Sequence, residues 1–298
     1  MSTTNPTVSL SNVNTAGRVL AAVDASTYAP SVAALAGWAA SKLGAELELI
    51  HTIDREVGTG RADLSGNLSL GSQEALLAEL ADLDERRARL AREHGQALLE
   101  QLRDDVAQAH GVTARVLQRH GALVEALLDL ESETRLFVIG KRGEHADFAK
   151  GHLGSNLERV VRAVHRPVLV AARAFHPIER FLIAYDGSAT TRACVEMVAA
   201  SPLLHGTACE VLMVGKDDEA NRRDLTWAVE RLGQAGFQPQ SRIVEGAPDS
   251  VIAAQVESNG IDLLVMGAYG HSRIRTMILG STTTQLLRSC QVPVLLLR

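Results

Sequence analysis

The sequence predicts an α/β protein made of two tandem, open, parallel five-stranded sheets. Three observations predict it. The run RVLAAVDAS (Arg18–Ser26) returns as RFLIAYDGS (Arg180–Ser188). Later, ETRLFVIGKRG (Glu133–Gly143) returns as GIDLLVMGAYG (Gly260–Gly270), and GSNLERVVRAVHRPVLVAAR (Gly154–Arg173) as GSTTTQLLRSCQVPVLLLR (Gly280–Arg298). Between these runs, short Val/Ile/Leu stretches alternate with helical segments, the pattern of crossover helices covering both faces of a parallel sheet. The chain therefore reads as two copies of one unit, 1–174 and 175–298, joined through ARAFHPIER around Pro177.

In the second copy, strands are expected near 180–185, 208–214, 237–244, 261–266 and 292–297, and helices near 188–200, 218–234, 248–259 and 280–290. Pro248 suits a first helical turn, and Pro293 the start of a strand rather than its centre. The first copy carries extra residues at about 55–111. EVGTGRADLSGNLSLGS (56–72) reads as a mobile loop. The segment after it reads as a long amphipathic helix, because Leu76, Leu77, Leu80, Leu83, Leu90, Leu98, Leu102 and Val106 recur at near-helical spacing. Its charge run DERRARLARE is expected to be a solvated face.

Composition sets outer limits. Of the 298 residues 46% are hydrophobic, which suffices for a packed core. A net charge of -5 argues against nucleic-acid binding through a basic surface. Cys194, Cys209 and Cys290 form no C-x-x-C pair, as expected in a reducing compartment. No apolar run is long enough to span a bilayer, and the polar N-terminal stretch lacks a secretory pattern. The expectation is a soluble, cytoplasmic protein without a membrane segment.

The chemistry concentrates in the glycine segment MGAYGHSRIRTMILGSTT (Met266–Thr283). Gly267 ends an apolar strand and Gly280 opens a helix. Glycine lets the backbone approach a ligand closely. A helix start presents unpaired N–H groups and the positive end of the helix dipole, which suit an anion. Ser281, Thr282 and Thr283 add hydroxyls.

Both copies resemble the universal stress protein (UspA) family in its tandem arrangement. The motifs VAAVDAS, LIAYDGS, LIHTID and DLLVMGAYG and the two C-terminal runs carry the resemblance over nearly the whole chain. It implies a Rossmann-like, adenine nucleotide alpha hydrolase-like fold, with the copies packed as an intramolecular pseudo-dimer. The family's ATP-binding members share Gly, two residues, Gly, nine residues, Gly, Ser/Thr. Gly267, Gly270, Gly280 and Ser281 match without a gap, whereas Gly140, Gly143, Gly154 and Ser155 enclose ten residues in place of nine. The resemblance implies ATP, with or without Mg, in the second copy. There Asp186 lies near ribose and phosphates, Val214 lines the adenine pocket through its backbone, and Gly267, Gly270, Gly280, Ser281 and Thr282 surround ribose and phosphates. Asp24, Thr52, Gly140, Gly143, Gly154 and Ser155 are the counterparts in the first cleft, which is either a second nucleotide site or a degenerate one. There Glu144 and Asp147 oppose a polyphosphate, and Lys141, Arg142 and Lys150 offset them. In the second copy Arg273 and Arg275 could screen phosphate charge.

Dedicated catalysis is not expected. The sequence has no Walker A, no G-x-S-x-G and no metal-binding histidine spacing. His51 and His271 sit near the cleft rims without an acid–base partner. Three functions remain open: a nucleotide-dependent regulatory module in stress response; an interaction protein using the first-copy insertion for a partner or a hydrophobic ligand; and a slow Mg-dependent ATPase. A homodimer beyond the pseudo-dimer is also compatible.

Overall fold

The computed structural model describes residues 16–53, 70–143, 154–268 and 280–297. The loop read at 56–72, apart from its last three residues, lies outside them. So do the N-terminal stretch, Glu144, Asp147, Lys150, Gly270, His271, Arg273 and Arg275.

The first copy runs β1 (Arg18–Ala22), α1 (Ala29–Leu43), β2 (Leu47–Ile53), α2 (Leu70–His110), β3 (Ala114–His120), α3 (Leu123–Leu130), β4 (Thr134–Gly140), α4 (Ser155–Ala163) and β5 (Val168–Ala171). The second runs β6 (Arg180–Tyr185), α5 (Ala189–Ala200), β7 (Ala208–Val214), α6 (Glu219–Gln234), β8 (Gln240–Val244), α7 (Pro248–Ser258), β9 (Leu263–Gly267), α8 (Ser281–Ser289) and β10 (Val294–Leu297). Local chemistry sets several boundaries. The Ser188 hydroxyl accepts the Thr191 N–H and Asp218 the Asn221 N–H, capping α5 and α6. Pro239 and Pro293 lack a donor, so β8 and β10 begin one residue later.

The two expected sheets are halves of one. All ten strands join in the order β3-β2-β1-β4-β5-β10-β9-β6-β7-β8. Pairing is parallel within each half and antiparallel only where β5 meets β10, with Val170 opposite Val294, Leu169 opposite Leu295 and Val168 opposite Leu296. Left alone, β5 and β10 would each present an unpaired apolar edge, and pairing removes both. The helices divide between the faces. One core layer packs α1, α2, α5 and α6 through residues such as Leu35, Leu102, Val195 and Leu225. The other packs α3, α4, α7 and α8 through Leu127, Val160, Ile252 and Leu286.

Helix α2 departs from the even leucine stripe read in the sequence. It spans 41 residues, against 16 for α6, which holds the equivalent place between β7 and β8. Its C-terminal part buries Leu99, Leu102 and Val106. Residues 78–94 are all exposed, Leu80, Leu83 and Leu90 among them. The last turns of α2 thus belong to the repeated unit, and the addition is the N-terminal part of the helix with the segment before it. We expect Leu102→Ala to cost about 2–5 kcal/mol and Leu90→Ala to stay within about 0.5 kcal/mol of wild type. Urea unfolding of the two variants measures the difference.

Candidate nucleotide cleft

In the second half, β6 lies between β7 and β9. The crossovers through α5 and α6 cover one face, and those through α7 and α8 the other. The chain therefore leaves β6 in opposite directions, which opens a crevice beyond the carboxyl ends of β6 and β9. In the first half β1 holds the same place between β2 and β4. Because β5 and β10 are antiparallel, the two crevices open at opposite ends of the sheet.

Register brings most of the expected residues together in the second half. Tyr185 lies opposite Met213, so Val214 sits level with Asp186. Ile183 lies opposite Val265, which carries Gly267 to the same rim. The Thr283 hydroxyl donates to the Gly267 carbonyl at 3.3 Å, tying the first turn of α8 to the end of β9. Gly280 stands at the N-cap of α8 and has no side chain with which to cap it. Ser281 is exposed, while Thr282 and Val214 are half-buried. Strand ends, glycine backbone and helix start thus share one rim, an arrangement suited to an anion.

Asp186 has a structural task at this rim. Its Oδ1 accepts the Ser188 N–H at 3.0 Å and the Thr191 hydroxyl at 2.7 Å. The side chain is exposed, so a ligand would meet it from the open side. A brace missed at the level of sequence holds the turn beneath. Arg192 donates to the Gly187 carbonyl at 3.1 Å, pairs with Asp224 at 2.7 Å and lies 4.5 Å from the centre of the Trp227 ring. Tyr185 stacks on that ring at 18°. Burial pushes the Tyr185 hydroxyl up to about 12. Gly187 has φ +74°, and a Cβ there would stand 2.5 Å from Asp224 Oδ2. The first copy has Ala25 at this position, which was the one visible signal of the difference.

The first cleft is drawn in on itself. Asp24 Oδ1 accepts the Ser26 N–H at 3.1 Å. A Cβ on Gly143 would lie 2.8 Å from Asp24 Oδ2, and one on Gly140 3.1 Å from the Tyr28 Cβ. The Gly154 N–H, at the start of α4, donates to the Lys141 carbonyl at 3.2 Å, so the helix start is bonded to its own loop. Ser155 is the first residue of α4. Thr52 is half-buried at the end of β2, opposite Arg119. His51 is structural, with Nδ1 3.0 Å from the Val23 carbonyl. The expectation that Lys141 offsets the acidic loop is corrected. Lys141 is buried, and its Nζ donates across to the second half, to the carbonyls of Cys290 and, at 3.0 Å, Val292. Burial lowers its pKa to about 8.

Among the described residues, no group of three His, Cys, Asp or Glu side chains is placed to hold a metal ion, and no helix is long and apolar enough to cross a membrane.

A family model described as Universal stress protein family matches residues 15–172 and again 177–298. Universal stress protein Slr1230 of Synechocystis is 36% identical over 284 residues, covering 94% of this chain and 99% of its own. A universal stress protein of Mycolicibacterium smegmatis is 24% identical, covering 94% and 96%. The crystal structure of a universal stress protein from Archaeoglobus fulgidus superposes with a TM-score of 0.69 at 22% identity, covering 94% of this chain and 98% of that one, a likeness of fold. With two family domains in tandem on one ten-stranded sheet, the chain belongs to the universal stress protein family.

Proposed function

We propose that this chain is a cytoplasmic stress-response module that binds ATP, with or without Mg, in its second domain (175–298), while the first domain (1–174) serves as its structural partner. Backbone at Gly267, Gly270 and Val214 would approach ribose and adenine. The α8 start, with Ser281 and Thr282, would face the phosphates, and Asp186 the ribose. The observation that carries the choice of half is the bond from the Gly154 N–H to the Lys141 carbonyl. It occupies in the first half the helix-start donor that a phosphate would need. Among the described residues no base is placed to activate water, and in this reading the nucleotide acts as a ligand that favours whichever conformation or partner-binding state holds it better.

Purified protein, denatured and analysed by mass spectrometry, should release adenine nucleotide, and calorimetry should detect ATP binding at one site. Gly280→Val with Ser281→Ala should weaken ATP at least about 100-fold, the scale of losing several phosphate hydrogen bonds, with helicity unchanged. Ser155→Ala should leave the affinity within about twofold. Absence of bound nucleotide and of a calorimetric signal would sink the proposal and favour the interaction-protein reading.

A further inference from the structure

We propose that a cavity at the seam between the two halves binds a short-chain aliphatic carboxylate, its chain among the apolar side chains of the seam and its charge on Arg135. The cavity encloses about 50 Å³ and is lined from both halves. Leu136 of β4, Leu203 in the turn after α5 and Leu295 of β10 are buried and form its floor. Leu43, Met197 and Arg135 are half-buried and ring its mouth. None of the lining residues belongs to either nucleotide rim. A bulge aims Arg135 here. Arg18 lies opposite Thr134 and Val19 opposite Leu136, so Arg135 is the extra residue of β4. In a regular strand Arg135 and Leu136 would face opposite sides of the sheet, whereas here both line the cavity.

Charge and size choose the ligand. Among the described residues no carboxylate pairs with the Arg135 guanidinium. Arg135 also borders an adjoining polar cleft, but the acids there are committed: Glu133 to Arg18 at 3.1 Å and Glu46 to Arg115 at 3.3 Å. Burial alone lowers the Arg135 pKa, the mark of a cation drawn from water without a compensating acid. In the second copy the corresponding position is Asp262, whose carboxylate accepts the Glu179 and Arg180 N–H groups, each at 2.9 Å. That position therefore braces the backbone in one copy, while in the other it holds a cation at the boundary between an apolar cavity and a polar cleft. A boundary of this kind suits a carboxylate head on the wet side and a hydrocarbon chain on the dry side. A water needs roughly 10–15 Å³ of such space, so the cavity takes about four water-sized groups, or a chain of about four carbons. Pentanoate has that chain beyond its carboxylate. A polyphosphate would meet an apolar floor, and an amine would meet like charge.

Methionine-methyl NMR on the full chain tests this, with the Met197 methyl as the reporter, assigned through Met197→Leu. Over a series of straight-chain carboxylates, affinity should rise about fourfold per methylene from acetate to pentanoate and then level off as the cavity fills. Pentanoate should bind with a dissociation constant on the order of 1 mM, as suits so small a ligand. Pentanol, with the same chain and no charge, should bind at least about tenfold more weakly. Arg135→Gln should weaken pentanoate at least about tenfold and leave pentanol within about twofold. Its melting temperature should not change, because the guanidinium has no ion pair in the fold to lose. A Met197 methyl that pentanoate does not move overturns the proposal. So does pentanol binding as tightly as pentanoate, the signature of a bare apolar void, and so does pentanoate binding unchanged in Arg135→Gln. None of these readouts depends on nucleotide.

Discussion

Leu296→Pro is expected to abolish the fold of the whole chain, not of one half. Leu296 is 2% exposed in β10, a strand with β5 on one side and β9 on the other. Proline there deletes a ladder donor in the interior of a sheet, at about 3 kcal/mol or more. It also empties part of the site where Leu296 packs in the α4/α8 layer, a loss of a further 2–5 kcal/mol or so for a large-to-small change. The sum approaches the whole stability of an ordinary domain. Because Leu296 faces Val168 of the first half, both halves lose their shared seam. Circular dichroism and gel filtration should show loss of helix and aggregation. Leu296→Val, which keeps the donor, should cost about 1 kcal/mol. A soluble, cooperatively melting Leu296→Pro protein would show that the halves stand without the β5–β10 pair.

The resemblance implied that the apolar C-terminal strands RPVLVAAR and VPVLLLR pair between the copies, and β5 and β10 do so. Repetition of RVLAAVDAS and RFLIAYDGS, with apolar runs between helical ones, was enough to place every strand of the second half to within about three residues. It also put Asp186, Gly267 and Gly280 at strand ends and a helix start, while Val214 was added by the resemblance, and parallel strands align these ends on one rim. What the sequence hid depends on contacts between distant segments. Lys141 reads as a loop cation because pattern alone says nothing of the Cys290 and Val292 carbonyls that receive it from the other half. The Arg192–Asp224–Trp227 brace joins α5 to α6 and has no local signature. Leucine periodicity predicted helix α2 correctly, yet it could not tell the buried Leu102 from the exposed Leu90. Periodicity reports a face, and only the neighbouring elements decide whether that face is covered.

Stability above neutral pH should be governed by two opposed sets of buried groups, and Lys141→Met should separate them. Burial pushes the Cys194 and Cys209 thiols from 9.0 up to about 12. Their folded pKa exceeds the unfolded one, so their contribution is complete below pH 9 and is lost as pH rises towards 12, by about 4 kcal/mol each. Tyr185, raised from 10.0 to about 12, acts in the same direction above pH 10. Lys141 runs the other way. Burial lowers it from 10.5 to about 8, so below pH 8 the folded chain carries the full cost of a buried ammonium. Between pH 8 and 10.5 the unfolded chain holds the proton that the folded chain has released, and stability gains about 3 kcal/mol. The methionine variant lacks that gain. Measured by denaturant titration in reducing buffer, its stability relative to wild type should therefore fall by about 3 kcal/mol from pH 8 to pH 10.5, while both proteins share the alkaline loss from the thiols. Parallel curves would mean that the Cys290 and Val292 carbonyls, at the negative end of α8, hold the proton against burial. The site makes the distinction matter: Lys141 grips one end of the helix whose other end forms the proposed phosphate cradle. Its charge complements the α8 dipole at neutral pH, and deprotonation leaves the hydrogen bonds in place but removes that complement.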